Sequence, residues 1–392
     1  MSSLLMLSPA PVLENTGGEV ILDVKFVEGM KLHCQLWPGP VRCVMWRGPH
    51  GIDEPMRFTI AKLGFELILL DEGAPVPELL LDETALVYCA ADDMKHFDLP
   101  AAMLGRFGKL VYTVEQALGG RVGAALEQQA PVRRRLESAL WNLRHERALR
   151  RALREADGIH CNGYPAYRAY RRLNDRALAY LDNRIRLPMI ARSADQEARA
   201  ARQAARGPLR LAWYGVMTPE SGVTDLLPVA QLLAMRGVDF RLELFGSGPL
   251  EDRLHQGVAA LGLSDRVTIA PNKGFEVRLA PHLRREADLF LSPRRLPSPQ
   301  GTYVEALGCG LPVLAYSNAM TRRLMRASNA GWTVRKGSPG AMARAIERLD
   351  RDRRALTAAS DRAVEFARAN TFETVFARRM TDLREIAGVD VD

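Results

Sequence analysis

Cysteine is scarce in this chain, and its five cysteines lack the spacing of a metal site or a disulfide framework. They are Cys34, Cys43, Cys89, Cys161 and Cys309. An odd number without a CxxC pair predicts reduced thiols in a cytoplasmic protein. The sequence also lacks an HxE or DxD motif and a Cys/His cluster, and no pairing of its histidines, His160 included, suggests triad chemistry. We therefore expect no metal and no cofactor.

Long hydrophobic runs are missing as well. The N-terminal stretch MSSLLMLSPAP has no basic flank, and its apolar run is too short for a signal peptide. Later apolar runs are interrupted by Asp or Glu, which predicts that no segment spans a membrane. The apolar fraction of 47% is still ample for sizeable cores, and 392 residues allow two or three domains.

Lysine is rare: seven Lys stand against 47 Arg, so arginine carries the net charge of +8. The charge is concentrated in a predicted amphipathic helix at 132–157. Six apolar side chains recur there at steps of three and four, namely Val132, Leu136, Leu140, Leu143, Leu149 and Leu153. Either this helix docks on its own domain with a solvated Arg face, or it contacts an anionic membrane from the cytoplasmic side. Aromatic residues do not interleave with the charge, so we expect no nucleic-acid partner.

Short β-rich runs alternate with helical runs, which is typical of an α/β fold with parallel sheets. The predicted strands of the first half are SLLMLSP, VRCVMW, FELILL, ALVYCAA, KLVYTVE, GIHCNG and ALAYLD. Those of the second half are LRLAWYG, FRLELFGSGP, RVTIAP, ADLFLSP and LPVLAYS, before 35 helical residues. Residues 191–208 contain no β-branched or aromatic side chain, which predicts an inter-domain linker. We expect ligands at the carboxyl ends of the strands, in a cleft between the halves.

Glycine-containing loops follow several strands of the second half. Gly215 follows LAWY, Gly246 follows LELF, and Gly301 precedes Glu305. Glycine lets a backbone approach a ligand closely, and a following helix N-terminus offers N–H groups to an anion. Glu305 is expected to open a short helix before the buried strand PVLAY. Because a buried carboxylate is costly unless paired, we expect either a partner cation or a ligand with hydroxyl donors.

Four stretches of the second half resemble the retaining glycosyltransferases of family four. They are YGVMTPESGVTDLLPVAQLL at 214–233, LFGSGPLEDRL at 244–254, READLFLSP at 285–293 and VEALGCGLPVLA at 304–315. In the first half only LSPAP, with Gly17 and Gly18, is similar. The resemblance implies the GT-B fold: two Rossmann-like parallel-sheet domains, acceptor-binding at 1–190 and nucleotide-sugar-binding at 209–365, facing across a cleft. Terminal helices at 366–392 would pack back on the first domain.

The resemblance also implies where substrates bind. The glutamate that matches Glu305 accepts hydrogen bonds from the ribose hydroxyls of the donor, although pairing with an arginine is the alternative. The further residues expected in the donor site are Gly215, Gly246, Lys273, Arg294, Arg295, Gly301, Thr302 and Tyr303; Gly17 and Gly18 would bind the acceptor. Glu115 stands where many family members have a histidine, and it would orient or deprotonate the acceptor hydroxyl. Asp92 and Asp93 are competing bases.

The chain departs from the family pattern at three positions. Pro297 stands in place of a first glutamate, while Val216 and Ser221 replace an Arg and a Lys that face the donor diphosphate. Arg294 and Arg295 are candidates to replace those cations, as is Lys273, because an arginine fork donates two parallel hydrogen bonds to phosphate.

The sequence thus predicts a metal-independent hexosyltransferase that moves a sugar from a nucleotide diphosphate to a hydroxyl of a glycolipid or saccharide, with retention. Retention rests on the resemblance alone. Two alternatives stay open: a GT-B partner or sugar-binding protein with impaired catalysis, and a nucleotide-sugar epimerase, which shares the fold.

Overall fold

The computed structural model describes residues 2–15, 17–48, 52, 55–91, 95–127, 130–271 and 274–389. Its strands are β1 (Leu4–Leu7), β2 (Leu13–Asn15), β3 (Glu19–Asp23), β4 (Val41–Trp46), β5 (Pro55–Thr59), β6 (Glu66–Leu70), β7 (Leu86–Ala90), β8 (Lys109–Val114), β9 (Gly158–Asn162), β10 (Ala177–Tyr180), β11 (Leu209–Tyr214), β12 (Phe240–Phe245), β13 (Val267–Ala270), β14 (Leu289–Ser292), β15 (Val313–Tyr316) and β16 (Gly331–Val334).

The α-helices are α1 (Val24–Leu36), α2 (Glu78–Asp82), α3 (Leu99–Ala102), α4 (Leu118–Glu127), α5 (Val132–Glu155), α6 (Gly163–Tyr170), α7 (Ser193–Ala204), α8 (Leu226–Met235), α9 (Glu251–Ala260), α10 (Ala280–Glu286), α11 (Gly301–Gly308), α12 (Ala319–Ser328), α13 (Pro339–Arg351), α14 (Arg353–Arg368) and α15 (Phe372–Ala387). Within the part of the chain that the structure describes, none of them is long and apolar enough to cross a membrane.

The chain divides into two compact units. The first comprises Met1–Val122, Glu137–Tyr180 and Glu373–Asp392, and the second comprises Gly123–Leu136 and Leu181–Phe372. The first unit is built on a seven-stranded parallel sheet in the order β10-β9-β8-β7-β1-β4-β6. Strands β2, β3 and β5 of the same unit form a separate small antiparallel sheet.

The second unit contains a six-stranded parallel sheet in the order β13-β12-β11-β14-β15-β16. Its central strands are buried on both faces, as β14 and β15 are along their whole length. This double burial explains why they read as continuous apolar runs in the sequence. All twelve predicted strands are present, and the α/β prediction is confirmed. The sequence missed β16, which is four residues long and begins with glycine, and the antiparallel sheet.

Residues 191–208 are not a linker, contrary to the prediction. They contain α7, a helix of the second unit, and the chain already passes from the first unit to the second after Tyr180. The Ala- and Arg-rich composition that suggested a linker is equally suited to a helix, since both residues have high helix propensity. On the buried face of α7, Arg199 donates to the carbonyl oxygens of Ala287 (2.8 Å), Cys309 (2.9 Å) and Gly310 (2.8 Å).

The segment Glu373–Asp392 belongs to the first unit although the second unit precedes it in the chain. Helix α15 carries Arg379 and Asp382 into that unit. Arg379 donates to the hydroxyl of Tyr88 at 2.6 Å, and Asp382 lies 2.8 Å from His160 Nε2. The first unit therefore depends on residues from both ends of the chain.

We predict that Arg199→Ala destabilises the second unit. Arg199 is 1% exposed, burial lowers its pKa to about 10, and its loss strips several buried carbonyl groups of their donors. Each buried carbonyl group that is left without a donor typically costs about 1–3 kcal/mol. Urea unfolding of both proteins measures the loss, and Arg323→Ala, at an exposed arginine of α12, is the matched control. Equal stability of the two variants would contradict the assigned role.

Candidate active site

Two loops at the carboxyl edge of the second sheet pack directly against each other. Gly215 N–H donates to the carbonyl of Phe245 at 3.0 Å, and Met217 N–H donates to that of Ser247 at 2.9 Å. A Cβ atom on Gly246 would lie only 1.9 Å from the Gly215 carbonyl oxygen. The close packing of the two loops therefore requires glycine at position 246. This packing explains the presence of glycine there without any contact to a ligand.

The loop after β14 joins the same edge. Gly222 has a φ of +71°, and a Cβ on it would lie 2.3 Å from the carbonyl oxygen of Pro293. The same loop is also held from the N-cap of α12, because the side chain of Asn318 donates to the carbonyl oxygens of Arg294 and Leu296, both at 3.3 Å. The loops after β11 and β14 are thus fixed to each other, and α11 begins from the second of them.

Glu305 is buried in the middle of α11 rather than at its start, with only 2% of its surface exposed. The helix begins at Gly301, four residues before Glu305. The carboxylate has partners on both oxygens. Oε1 accepts from the backbone N–H of Arg184 at 3.1 Å and lies 3.6 Å from its Nε, while Oε2 accepts from Tyr214 at 3.0 Å. The partner cation expected from the sequence is therefore Arg184.

The neighbours of Glu305 fit closely around it. The Tyr214 hydroxyl, which donates to Glu305, also lies 3.1 Å from the carbonyl oxygen of Thr302. Burial and the adjacent Glu305 carboxylate raise the pKa of Tyr214 well above its usual value, so it remains a donor. A Cβ on Gly301 would lie 2.8 Å from Glu305 Oε1, so a larger residue at 301 would force the carboxylate to move from its present position. Tyr303 is buried and accepts a hydrogen bond from Ser292.

The two arginines of the loop after β14 have different surroundings. Arg295 donates twice to the carboxylate of Asp225, at 2.8 and 3.0 Å. Arg294 is partly buried, which lowers its pKa, while the nearby charges of Glu220 and Glu127 act in the opposite direction. Within the described residues its guanidinium forms no ion pair with a carboxylate. Val216 is 59% exposed, whereas Ser221 is buried and donates to the Thr218 carbonyl at 2.6 Å. In the described part of the chain, Arg294 is therefore the one of these two arginines without an ion-paired carboxylate.

A polar cluster surrounds Glu115 at the carboxyl edge of the first sheet. Glu115 directly follows β8, and it accepts hydrogen bonds from Tyr180 (2.8 Å) and from the side chain of Asn162. These donors end β10 and β9, so three adjacent strands deliver the three side chains to one place. Sequence reasoning found Glu115 and missed its two partners, although both end a predicted strand.

Behind this cluster a buried hydrogen-bond chain runs to α15. Arg379 lies 4.2 Å above the Tyr180 ring and donates to the hydroxyl of Tyr88. Because arginine only donates, the Tyr88 hydroxyl donates in turn to His160 Nδ1, 2.9 Å away, and the other nitrogen carries the proton toward Asp382. Burial lowers the pKa of His160 and keeps it neutral. This hydrogen-bond chain could not be predicted from the sequence, because His160 lies 72 positions from Tyr88 and 222 positions from Asp382.

The remaining predicted site residues are placed as follows. Gly17 and Gly18 lie in the turn between β2 and β3, with φ of +84° and +78°, so the turn conformation itself favours glycine. Asp92, Asp93 and Lys273 lie outside the described residues. Among the side chains that are described, no group of three or more His, Cys, Asp or Glu is arranged to hold a metal ion.

Helix α5 has two apolar faces rather than the single stripe that was predicted. Its C-terminal half is docked, with Leu149 and Leu153 buried in the core of the first unit. Four apolar side chains of its N-terminal half are exposed by 48–66%: Val132, Leu136, Leu140 and Leu143. The docked interpretation therefore holds for the C-terminal half of α5, and contact of the N-terminal half with an anionic membrane stays a prediction.

The comparisons with known proteins agree with this architecture. Residues 195–368 match the family model described as "Glycosyl transferases group 1". The amylovoran biosynthesis glycosyltransferase AmsK of Erwinia amylovora is 28% identical over 158 residues, which are 38% of this chain and 37% of AmsK. The alpha-D-kanosaminyltransferase of Streptomyces kanamyceticus is 28% identical over 162 residues, 40% of this chain and 42% of the enzyme. The chain thus spans less than half the length of these curated relatives.

A solved structure matches the chain along its whole length. Anabaena Alr3699/HepE in complex with UDP has a TM-score of 0.68 and 14% identity, and the match covers 98% of this chain and 100% of HepE. The complex of HepE with UDP-glucose matches with a TM-score of 0.65 and 16% identity, covering 98% and 99%. The chain therefore has the GT-B fold, as predicted, and its residues 195–368 are similar to the group 1 glycosyltransferases.

Proposed function

We propose that this protein transfers a sugar from a nucleotide diphosphate to a hydroxyl of a saccharide or glycolipid, with retention of configuration. The observation that carries the proposal is the buried Glu305 carboxylate, held at the carboxyl edge of the second sheet within the segment that matches the group 1 family. HepE binds UDP and UDP-glucose, and AmsK is an amylovoran biosynthesis enzyme. These relatives support a nucleotide-sugar donor and a saccharide acceptor.

The donor would bind through its ribose and its diphosphate. Glu305 accepts one hydrogen bond on each oxygen from Tyr214 and Arg184, which leaves each oxygen an acceptor position for a ribose hydroxyl. The first N–H groups of α11 would face the diphosphate. A cation 4 Å from a phosphate charge contributes about 4 kcal/mol at an effective dielectric near 20. Because Val216 and Ser221 supply none, we assign this role to Arg294.

The acceptor would bind on the first unit, near Glu115. Tyr180 and Asn162 fix both oxygens of this carboxylate, so it is preorganised to orient an acceptor hydroxyl or take its proton. On the donor side Arg294 would stabilise the negative charge that develops on the leaving diphosphate. In this proposal the chain's own cations replace a metal, and no cofactor takes part.

A second candidate is a GT-B protein that binds nucleotide sugars without catalysing transfer. The observation that favours it is the ion pair of Arg295 with Asp225, which occupies one of the two arginines available to replace the missing cations. A nucleotide-sugar epimerase is the third. Donor hydrolysis without acceptor would favour the transferase, interconversion of the free donor sugar would favour the epimerase, and neither activity would favour the binding protein.

We further propose that α5 holds the protein on an anionic membrane, where a glycolipid acceptor would be found. Its exposed apolar residues, Val132, Leu136, Leu140 and Leu143, follow one face of the helix. The whole helix contains eight Arg and only three Glu, and exposed Arg144 and Arg147 lie beside this apolar face. Apolar burial would then combine with attraction to anionic headgroups, worth about 1 kcal/mol for each basic residue near the surface.

We predict that Glu305→Gln weakens nucleoside diphosphate binding while the fold stays intact. Glutamine loses the charge assistance of each ribose hydrogen bond, about 1.5–3 kcal/mol for each affected bond, or roughly 10- to 100-fold in affinity. Isothermal titration calorimetry with a panel of nucleoside diphosphates measures the change. Glu365→Gln, at an exposed residue of α14, is the matched control. An unchanged affinity in Glu305→Gln would remove this residue from the donor site.

We predict that Arg294→Ala discriminates between nucleoside diphosphate and bare nucleoside. Its diphosphate affinity should fall at least tenfold while its nucleoside affinity stays at the parent value, because only the diphosphate presents charge to the guanidinium. Arg294→Lys should recover only part of the loss, since an ammonium lacks the fork. Arg295→Ala is the matched control and should lose less, because that arginine is paired with Asp225. Equal losses for both ligands in Arg294→Ala would refute the assignment.

We predict that the protein sediments with phosphatidylglycerol vesicles at low salt, ignores phosphatidylcholine vesicles, and detaches as ionic strength rises. The double variant Leu136→Asp/Leu140→Asp should lose most of this binding. The control is Leu104→Asp/Phe107→Asp, which places the same two charges at side chains that are 86% and 76% exposed outside α5. Equal binding to both lipids, or equal losses in the two variants, would argue against α5 as the contact.

A further inference from the structure

A polar cleft of about 410 Å³ lies in the second unit, away from Glu305. The end of α7 with Arg206 forms one wall, and the junction between α13 and α14 forms the other. Arg206 precedes β11, whose far end carries Tyr214 beside Glu305. Six strand residues at roughly 3.3 Å each separate the two places by about 20 Å. The cleft is therefore distinct from the proposed donor site.

Four arginines line this cleft, and they differ in their partners. Arg353 is paired with Asp350, and Arg351 is paired with Glu347. Arg354 and Arg206 have no carboxylate partner among the residues that the structure describes. The bonds of Arg206 are long, at 3.5 and 3.4 Å to the carbonyl oxygens of Asp350 and Arg351. Two guanidinium groups thus retain donors for a further acceptor in the cleft.

The walls of the cleft are connected before any ligand binds. Thr357 of α14 donates to the side-chain oxygen of Gln203 in α7 at 2.8 Å. Arg206 has a φ of +57°, one of only two such non-glycine residues in the described chain. It directly follows the C-cap residue of α7, a position where the left-handed conformation commonly ends a helix. From this helix end the Arg206 guanidinium reaches the α13–α14 junction.

We propose that this cleft binds a phosphate group. Two arginine forks without carboxylate partners match the geometry and the double charge of a phosphate, whereas a single carboxylate would satisfy only one of them. Asp352 also lines the cleft, but it caps α14 by accepting from the N–H of Ala355 at 3.3 Å. The phosphate would come from a soluble phosphorylated compound or from a lipid headgroup. This binding site goes beyond the proposed transferase activity and does not depend on it.

The test uses the full chain and inorganic pyrophosphate as the probe, with calorimetry as the readout. The double variant Arg206→Gln/Arg354→Gln should bind pyrophosphate at least about tenfold more weakly at the cleft, and its affinity for nucleoside diphosphates should equal that of the parent. Arg294→Ala should retain cleft binding, which separates this site from the donor site. Arg323→Gln/Arg326→Gln, at two exposed arginines of α12, is the matched control for charge.

A second arm identifies the source of the phosphate. If a lipid headgroup supplies it, phosphatidic acid vesicles should bind the parent more strongly than the cleft variant, whereas a soluble source leaves the two equal. Either result supports the site once the pyrophosphate difference is seen. The proposal is overturned if the parent binds no pyrophosphate outside the donor site, or if parent, cleft variant and control bind it equally.

Discussion

The second unit is organised around one constraint, the satisfaction of a carboxylate that is almost fully buried. A buried charge without partners costs several kcal/mol, so the surroundings of Glu305 must supply donors. They do so through the backbone of Arg184 and the hydroxyl of Tyr214. The same carboxylate excludes any side chain at position 301. One acidic residue thus restricts position 301 to glycine, helps burial to raise the pKa of Tyr214, and binds the backbone at Arg184.

The central strands could be predicted because parallel strands are covered on both faces and read as apolar runs. The same reasoning failed for α7. An Ala- and Arg-rich segment has no visible apolar stripe, and the role of Arg199 depends on carbonyl groups that lie about 90 to 110 positions away. The antiparallel strands were missed because β5 is mostly exposed and lacks an apolar run.

Two carboxylates of the candidate site, Glu305 and Glu115, could also be predicted from the apolar runs. Each adjoins an apolar segment, where a charged residue is conspicuous. Their partners Arg184, Asn162 and Tyr180 are ordinary polar residues in the sequence. The strand order brings Asn162 and Tyr180 to Glu115, and the segment after β10 brings Arg184 to Glu305. The difference between Arg294 and Arg295 was equally hidden, since it depends on Asp225, 70 residues earlier.

The discontinuity of the first unit has a consequence for the order of folding during synthesis. Tyr88 and His160 leave the ribosome long before Arg379 and Asp382, which complete their buried hydrogen-bond chain. Until then the two side chains lack these partners in an otherwise apolar interior, which disfavours their burial. All residues of the second unit are by then already synthesised. The first unit therefore completes this hydrogen-bond chain only after the second unit has been synthesised, and nascent chains still lacking α15 would expose part of its interior to chaperones and proteases.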